Sequence, residues 1–202
     1  MEDEIREIHQ FWFGEIAGDW CVEDRYDLWW YEASDVDAEI ERRFRRPHAM
    51  AAAGELPDWG QTPRGRLALI ILLDQFSRNI FRRRQEAFAN DALARSLCIE
   101  GIDAVQDAEL RLIERVFFYM PLMHSECSDD QDRALRLYSE ILAATTLEDK
   151  PKAERYVGAA ELHKALIDRF GRFPHRNKVL RRHSTDIETA YLSGEHEAFG
   201  QG

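Results

Sequence analysis

The chain has 202 residues, of which 45% are hydrophobic and 11% aromatic, so it is long enough for one packed core and is not a disordered chain. Its formal net charge of −11 argues against general binding to nucleic acids, because an acidic surface repels phosphates. The longest apolar run, Leu67 to Leu73, is far shorter than the roughly 20 residues that a membrane-spanning helix needs.

The predicted elements are helices along the whole chain. Apolar spacing predicts a first helix over 2–13, ended by Gly14, and a second that is capped by Ser34 and kinked or ended by Pro47. No stretch shows the alternation typical of a strand. The sequence therefore predicts an all-α protein of about eight helices in a single domain over residues 1–202. The later helices are predicted near 86–100, 107–120, 129–144, 152–170 and 185–193.

The helix that Thr62-Pro63 opens is apolar on all sides, which predicts that it is the most buried helix. Asp74 and Arg78 continue one apolar stripe of this helix. A buried carboxylate is costly unless it is paired, and an arginine four residues later is a natural partner. Either the two side chains form a structural ion pair, or Arg78 faces a cavity and Asp74 orients it.

A second polar segment follows a proline that is predicted to end a helix, Pro121. His124 and Glu126 then lie two residues apart in a short connection. They suit an acid/base pair or two metal ligands. The alternative is that Glu126 sits favourably near the positive start of the next helix, where Ser128 and Gln131 form a predicted capping box.

A third segment begins with His163, in the middle of an apolar helix face, where it is either a core histidine or a ligand. Gly171 is predicted to stop that helix, and the proline that follows forces extended backbone. The donors exposed there suit a carboxylate or phosphate, or else cap helix carbonyls in a structural corner. These donors are Arg172, His175, Arg176 and Asn177.

Basic residues are concentrated in three clusters, at 42–46, 78–84 and 169–182. Solvated helix ends are one explanation, because cations suit the negative C-terminal end of a helix.

Together these segments resemble the bacterial domain of unknown function 924 family. The matching stretches are 11–14, 66–82, 87–91, 121–126 and 170–185, so the resemblance covers essentially the whole chain. It implies a helical fold similar to tetratricopeptide-repeat proteins, and it implies no activity. The chain departs from the family pattern at four positions. Ser77 stands where proline is usual, Arg83 and Arg181 where glycine is usual, and Cys127 where an acid is usual.

The first functional hypothesis is a pocket for a small anionic molecule. Arg78 and Arg176 would hold the anion, and a histidine oriented by Asp74 or Glu126 would act as acid or base. The sequence leaves open whether the site is catalytic. The candidate catalytic residues are His124, Glu126 and His175. The candidate ligand-binding residues are Asp74, Arg78, Asn79, His163, Arg172, Arg176 and Asn177.

The second hypothesis is a tetratricopeptide-like interaction module whose arginines bind an acidic peptide. The third is that the polar motifs are buried networks that specify packing. Metal or RNA binding is a minor alternative. No Gly-rich phosphate loop, serine elbow or HExxH motif is present, which disfavours a nucleotide-binding fold and a standard protease. The main prediction includes no cofactor and no metal.

Three cysteines without a CxxC spacing favour a reducing compartment. The N-terminus, Met-Glu-Asp-Glu, does not resemble a signal peptide. We therefore expect a cytoplasmic protein that binds neither nucleic acid nor membranes, and the sequence indicates no oligomeric state.

Overall fold

The computed structural model describes residues 2–30 and 33–194 and confirms the all-α prediction. In these residues, the strands form one short antiparallel hairpin of β1 (Ile16–Ala17) and β2 (Trp20–Cys21). The α-helices are α1 Glu2–Phe13, α2 Tyr26–Trp30, α3 Ser34–Ala52, α4 Pro63–Ile70, α5 Ser77–Ile80, α6 Asp91–Asp103, α7 Leu112–Met123, α8 Ser128–Ala144, α9 Lys150–Phe170 and α10 Asp186–Leu192. Short 3-10 turns cover Pro57–Gln61, Gln85–Phe88, Gln106–Glu109 and Pro174–Arg176.

Several predicted helix ends are confirmed. Gly14 follows α1 with a φ of 65°, and Gly171 ends α9 with a φ of 69°. Thr62 caps α4 by accepting a hydrogen bond from the Gly65 N–H. Thr185 caps α10 in a reciprocal capping box, as predicted.

Other predicted ends are wrong. Pro121 lies inside α7, which continues to Met123, because the buried position of this helix outweighs the hydrogen bond that proline lacks. Pro47 lies inside α3, so of the two predicted alternatives, a kink or a helix end, the helix end is excluded. The predicted caps Ser34 and Ser128 are first helical residues, and the residue before each accepts no cap hydrogen bond through its side chain.

A cluster of aromatic rings joins the N-terminal third to the middle of the chain. Trp12 and Phe13 of α1 and Trp29 of α2 surround Phe117 of α7, with ring centroids 4.7–5.5 Å from that of Phe117. The main core extends from α1 to α9, and a smaller core lies beneath the C-terminal segment. As predicted, the helix that begins at Pro63 is the most buried part of the fold.

That helix does not run as a regular α-helix from end to end. Between α4 and α5 it forms a π-helical turn over Ile71–Phe76, which inserts an extra residue into the helical repeat. Every residue of this turn is buried. The turn places Asp74 inside the protein.

Helices α7, α8 and α9 pack successively against one another. The tetratricopeptide-like arrangement that the family resemblance implies stays a prediction. Across residues 2–30 and 33–194, no helix is both long enough and apolar enough to cross a membrane.

Gly65 in α4 provides a test of this packing. A Cβ atom at this position would lie 2.3 Å from the backbone oxygen of Trp59, which has little freedom to move. We expect Gly65→Ala to lower the free energy of unfolding by about 1–3 kcal/mol. The matched control is Gly158→Ala in α9, where a Cβ meets nothing within 4 Å, and it should raise that free energy by about 0.5–1 kcal/mol. Urea unfolding measures both, and equal effects would contradict the packing described here.

Candidate functional site

Asp74 is the most buried charged side chain of the three polar segments. It lies in the π-helical turn with no exposed surface. His124 Nδ1 donates to Asp74 Oδ1 at 2.8 Å, Gln75 donates to the other oxygen, and Arg78 Nη2 lies 3.7 Å from Oδ1. Burial opposes ionisation, but His124 and then Arg78 hold the pKa of Asp74 below its usual range. Asp74 therefore stays a carboxylate, which fixes the proton of His124 on Nδ1.

A second carboxylate joins two guanidinium groups. Arg78 Nη2 lies 2.8 Å from Asp91 Oδ1, and Arg176 Nη1 lies 3.5 Å from Asp91 Oδ2. Arg176 also donates to the backbone oxygen of His124 at 3.0 Å. Burial raises the pKa of Asp91, although both arginines oppose that rise. The three polar segments thus meet in one network of Asp74, Arg78, His124 and Arg176 with Asp91.

Arg176 carries its charge inside the protein, since its side chain is only 8% exposed. Burial, followed by repulsion from Arg78, lowers its pKa to about 10, so it remains a cation at neutral pH. Its Nε makes no hydrogen bond to any described residue. Both guanidinium groups pack on the Phe88 ring, with Cζ 4.5 Å from the centroid for Arg78 and 4.9 Å for Arg176.

His163 borders this network on its apolar side. Its ring centroid is 6.0 Å from that of His124 and 5.4 Å from that of Phe173. Its Nδ1 donates to the Ala159 carbonyl of the preceding turn at 2.8 Å. Burial, with His124 as the next cause, lowers its pKa to about 3. These contacts favour a neutral core histidine.

Glu126 is held by Arg182, a residue to which sequence reasoning gave no role. Arg182 donates to both carboxylate oxygens, at 2.7 and 3.0 Å, and the Phe173 N–H donates to one of them at 2.8 Å. Burial opposes ionisation, but Arg182 lowers the pKa of Glu126. Arg182 also donates to Asn177 Oδ1 at 3.0 Å. With both oxygens engaged, the geometry favours a clamp that holds the C-terminal segment.

Two candidate residues have their partners elsewhere. Asn79 Nδ2 donates to Asp37 of α3 at 2.8 Å. Arg172 donates to both carboxylate oxygens of Glu188 in α10, at 2.6 and 2.8 Å. The sequence could not show this, because each partner lies on another element.

Phe88, on whose ring both buried arginines pack, also lines a cleft of about 1040 Å³. Its lining comes from two segments, 83–89 and 175–181. The cationic side chains in this lining are Arg83, Arg84, Lys178 and Arg181. The carboxylate in the lining is Glu86, which forms an ion pair with Arg84.

The cleft differs from the expected pocket. Of the ten candidate residues, His175 lines it, and the others lie in the network behind it or with the partners described above. The arginines and the lysine of the lining belong to two of the basic clusters in the sequence, at 78–84 and 169–182. These clusters are the sequence signal that could have located the cleft. The candidates outside its lining are Asp74, Arg78, Asn79, His124, Glu126, His163, Arg172, Arg176 and Asn177.

A candidate acid/base pair and the cationic cleft therefore lie at different places in the structure. Asp74 and His124 have the geometry of an oriented acid/base pair, but neither lines the cleft. The cleft itself offers cations and an apolar surface. Within the described parts of the chain, no group of three or more His, Cys, Asp or Glu side chains is arranged to hold a metal ion.

The chain matches the family model described as a bacterial protein of unknown function (DUF924) over residues 8–196. It belongs to this family. A solved structure of a protein of unknown function, ATU0120 from Agrobacterium tumefaciens, is similar to this DUF924 protein, with 36% sequence identity and a TM-score of 0.80. The match covers 96% of this chain and 99% of that one. A search of curated proteins finds no match. Neither description names an activity.

The buried neutral His163 predicts a loss of stability in mild acid. Its pKa is about 3 in the folded protein and 6.5 as a free group. His163 binds a proton more readily in the unfolded chain than in the folded protein. The contribution of neutral His163 to the free energy of unfolding is therefore complete above about pH 6.5 and is lost as the pH falls towards 3. When the pH is lowered from about 7.5 to about 5, the titration of His163 should lower the free energy of unfolding by about 2 kcal/mol.

We expect His163→Gln to remove that part of the pH dependence, as measured by urea unfolding at both pH values. His183→Gln is the matched control, because His183 is exposed and should leave the dependence unchanged. An identical dependence in His163→Gln and the wild type would show that His163 is not the group responsible.

Proposed function

We propose that this protein binds a small anionic molecule, carrying phosphate or carboxylate groups, in the cleft between segments 83–89 and 175–181. The observation that carries the proposal is the charge of the lining. Four cationic side chains face the cleft with one carboxylate, and that carboxylate is already paired with Arg84. This lining stands out in a chain with a net charge of −11, and it would concentrate anions at the cleft.

The apolar part of the lining supports a small organic molecule as the ligand. Phe88, Val179 and Leu180 contribute to the wall beside the cationic groups. Ligand sites commonly combine apolar surface with a few charged groups, in volumes of roughly 300–1,000 Å³. The cleft, at about 1040 Å³, is slightly larger than that range.

The buried network supports the proposal through Phe88. Arg78 and Arg176 pack on its ring, so the position of this wall depends on the ion pairs behind it. The proposal is limited to binding, because Asp74 and His124 do not line the cleft. Acid/base catalysis by His124 stays a prediction from the sequence.

The test is isothermal titration calorimetry of the purified protein with phosphorylated and carboxylated metabolites. Wild-type protein should bind at least one of them, more weakly as salt is raised. Lys178→Glu reverses one charge in the lining and should weaken binding at least about tenfold, equivalent to about 1.4 kcal/mol. Arg136→Glu is the matched control, since Arg136 is exposed on α8 and its change alters the net charge equally.

Three outcomes would contradict the proposal. The first is a wild-type protein that binds none of these anions. The second is an equal loss of affinity in Lys178→Glu and Arg136→Glu. The third is binding of an oligo-glutamate peptide and of no metabolite, which would favour the interaction module that accepts an acidic peptide.

A further inference from the structure

Two arginines that line the cleft have a backbone conformation that residues with a Cβ atom rarely adopt. The φ angle is 61° at Arg83 and 54° at Arg181. In this left-handed region, Cβ crowds the neighbouring carbonyl oxygen, so glycine is favoured there. Among the described residues, the one other non-glycine residue with a positive φ is Val105, at 59°, and Val105 does not line the cleft.

The hydrogen bonds around Arg181 define a helix-ending motif that usually carries glycine. Arg182 N–H donates to the Asn177 oxygen at 2.8 Å, and Arg181 N–H donates to the Lys178 oxygen at 3.2 Å. These are the two bonds of a Schellman motif, with Arg181 at the left-handed position. The same protein ends α3 with the same pair of bonds and places Gly54, with a φ of 71°, at the equivalent position.

Arg83 occupies a similar position in a tight turn. Arg84 N–H donates to the Phe81 oxygen at 2.9 Å, which closes a four-residue turn with Arg83 as its third residue. A positive φ at the third residue of a turn favours glycine or asparagine. Each of the two segments that line the cleft thus carries an arginine where its backbone favours glycine.

Strained backbone positions tend to persist where they serve a site. A guanidinium group presents a planar fork of donors that matches a phosphate or carboxylate with two parallel hydrogen bonds. Glycine at either position would remove both the strain and this fork. One fork comes from each segment of the lining, and Lys178 adds a third cation.

We propose that Arg83 and Arg181 select the ligand of the cleft, and that this ligand carries at least two anionic groups, as a diphosphate or a di- or tricarboxylate does. The inference rests on the proposed function and goes further by naming the selecting residues and the ligand class. It predicts that these arginines lower stability and raise affinity, so replacing them with glycine changes the two quantities in opposite directions.

The experiment uses full-length protein and four probes. Inorganic pyrophosphate and citrate carry several anionic groups, while inorganic phosphate and acetate are their single-group counterparts. Calorimetry should show at least about tenfold tighter binding of pyrophosphate than of phosphate, or of citrate than of acetate. Equal affinity within both pairs would overturn the ligand class.

Arg83→Gly and Arg181→Gly should each raise Tm by about 2–4 °C. Each should also weaken binding of the multiply charged probe about tenfold. Two matched controls separate strain from charge. Val105→Gly relieves the same kind of strain outside the cleft, so it should raise Tm and leave affinity unchanged. Arg136→Gln removes an exposed charge on α8 and should change neither quantity.

The outcomes distinguish this inference from the proposed function. Glycine variants that gain stability and bind the multiply charged probe like the wild type would overturn the role of Arg83 and Arg181 while leaving the cleft as a binding site. A wild-type protein that binds no anion would overturn the proposed function itself. If a glycine variant does not fold, Arg83→Asn and Arg181→Asn keep a residue that tolerates positive φ, and the same loss of affinity is expected.

Discussion

The carboxylate of Asp74 has no contact with solvent, and a charge in that position is stable only while its partners stay in place. His124 at the end of α7 and Arg78 in α5 are those partners. The backbone oxygen of His124 in turn accepts a hydrogen bond from Arg176, which belongs to the C-terminal segment. Breaking a buried pair by removing one partner typically costs about 3–5 kcal/mol. The position of three distant segments therefore depends on one charge.

Phe88 contacts both this network and the cleft. Arg78 and Arg176 contact the ring and are largely buried, whereas Arg83, Arg84, Lys178 and Arg181 line the cleft and are exposed. The buried cations are occupied by Asp91 and by backbone oxygens, so they hold the wall in position. Under the proposed function, the exposed cations would contact the anion, while the buried arginines hold the wall.

Local patterns in the sequence predicted the helices well, because apolar spacing reports directly which face a helix buries. The four-residue spacing of Asp74 and Arg78 also predicted that the two would interact. What local patterns could not provide was the partner on another element. Arg78 pairs with Asp91, and Glu126 pairs with Arg182. In each pair, the two residues lie on different elements.

The same limit explains the errors. Because proline lacks an N–H group, the local pattern predicts a helix end at Pro121, but tertiary packing extends α7 beyond this residue to Met123. The sequence points to a site at residues whose polar character is unusual for a buried face. In the structure, four of those residues join one network with Asp91, and others pair with residues of other segments. The cleft takes its charge from neighbours such as Lys178, which a sequence cannot distinguish from an ordinary solvated cation.

The two segments that form the cleft, 83–89 and 175–181, lie far apart in the chain. The apolar contacts beneath the second segment are few, with Leu166, Ile167 and Phe173 at their centre. Such a segment opens locally more easily than the main core does. A molecule that bound both segments, as proposed, would close a long loop without a covalent bond. Amide hydrogens around 176–182 would then exchange with solvent more slowly, so hydrogen exchange in the C-terminal segment would report whether the cleft is occupied.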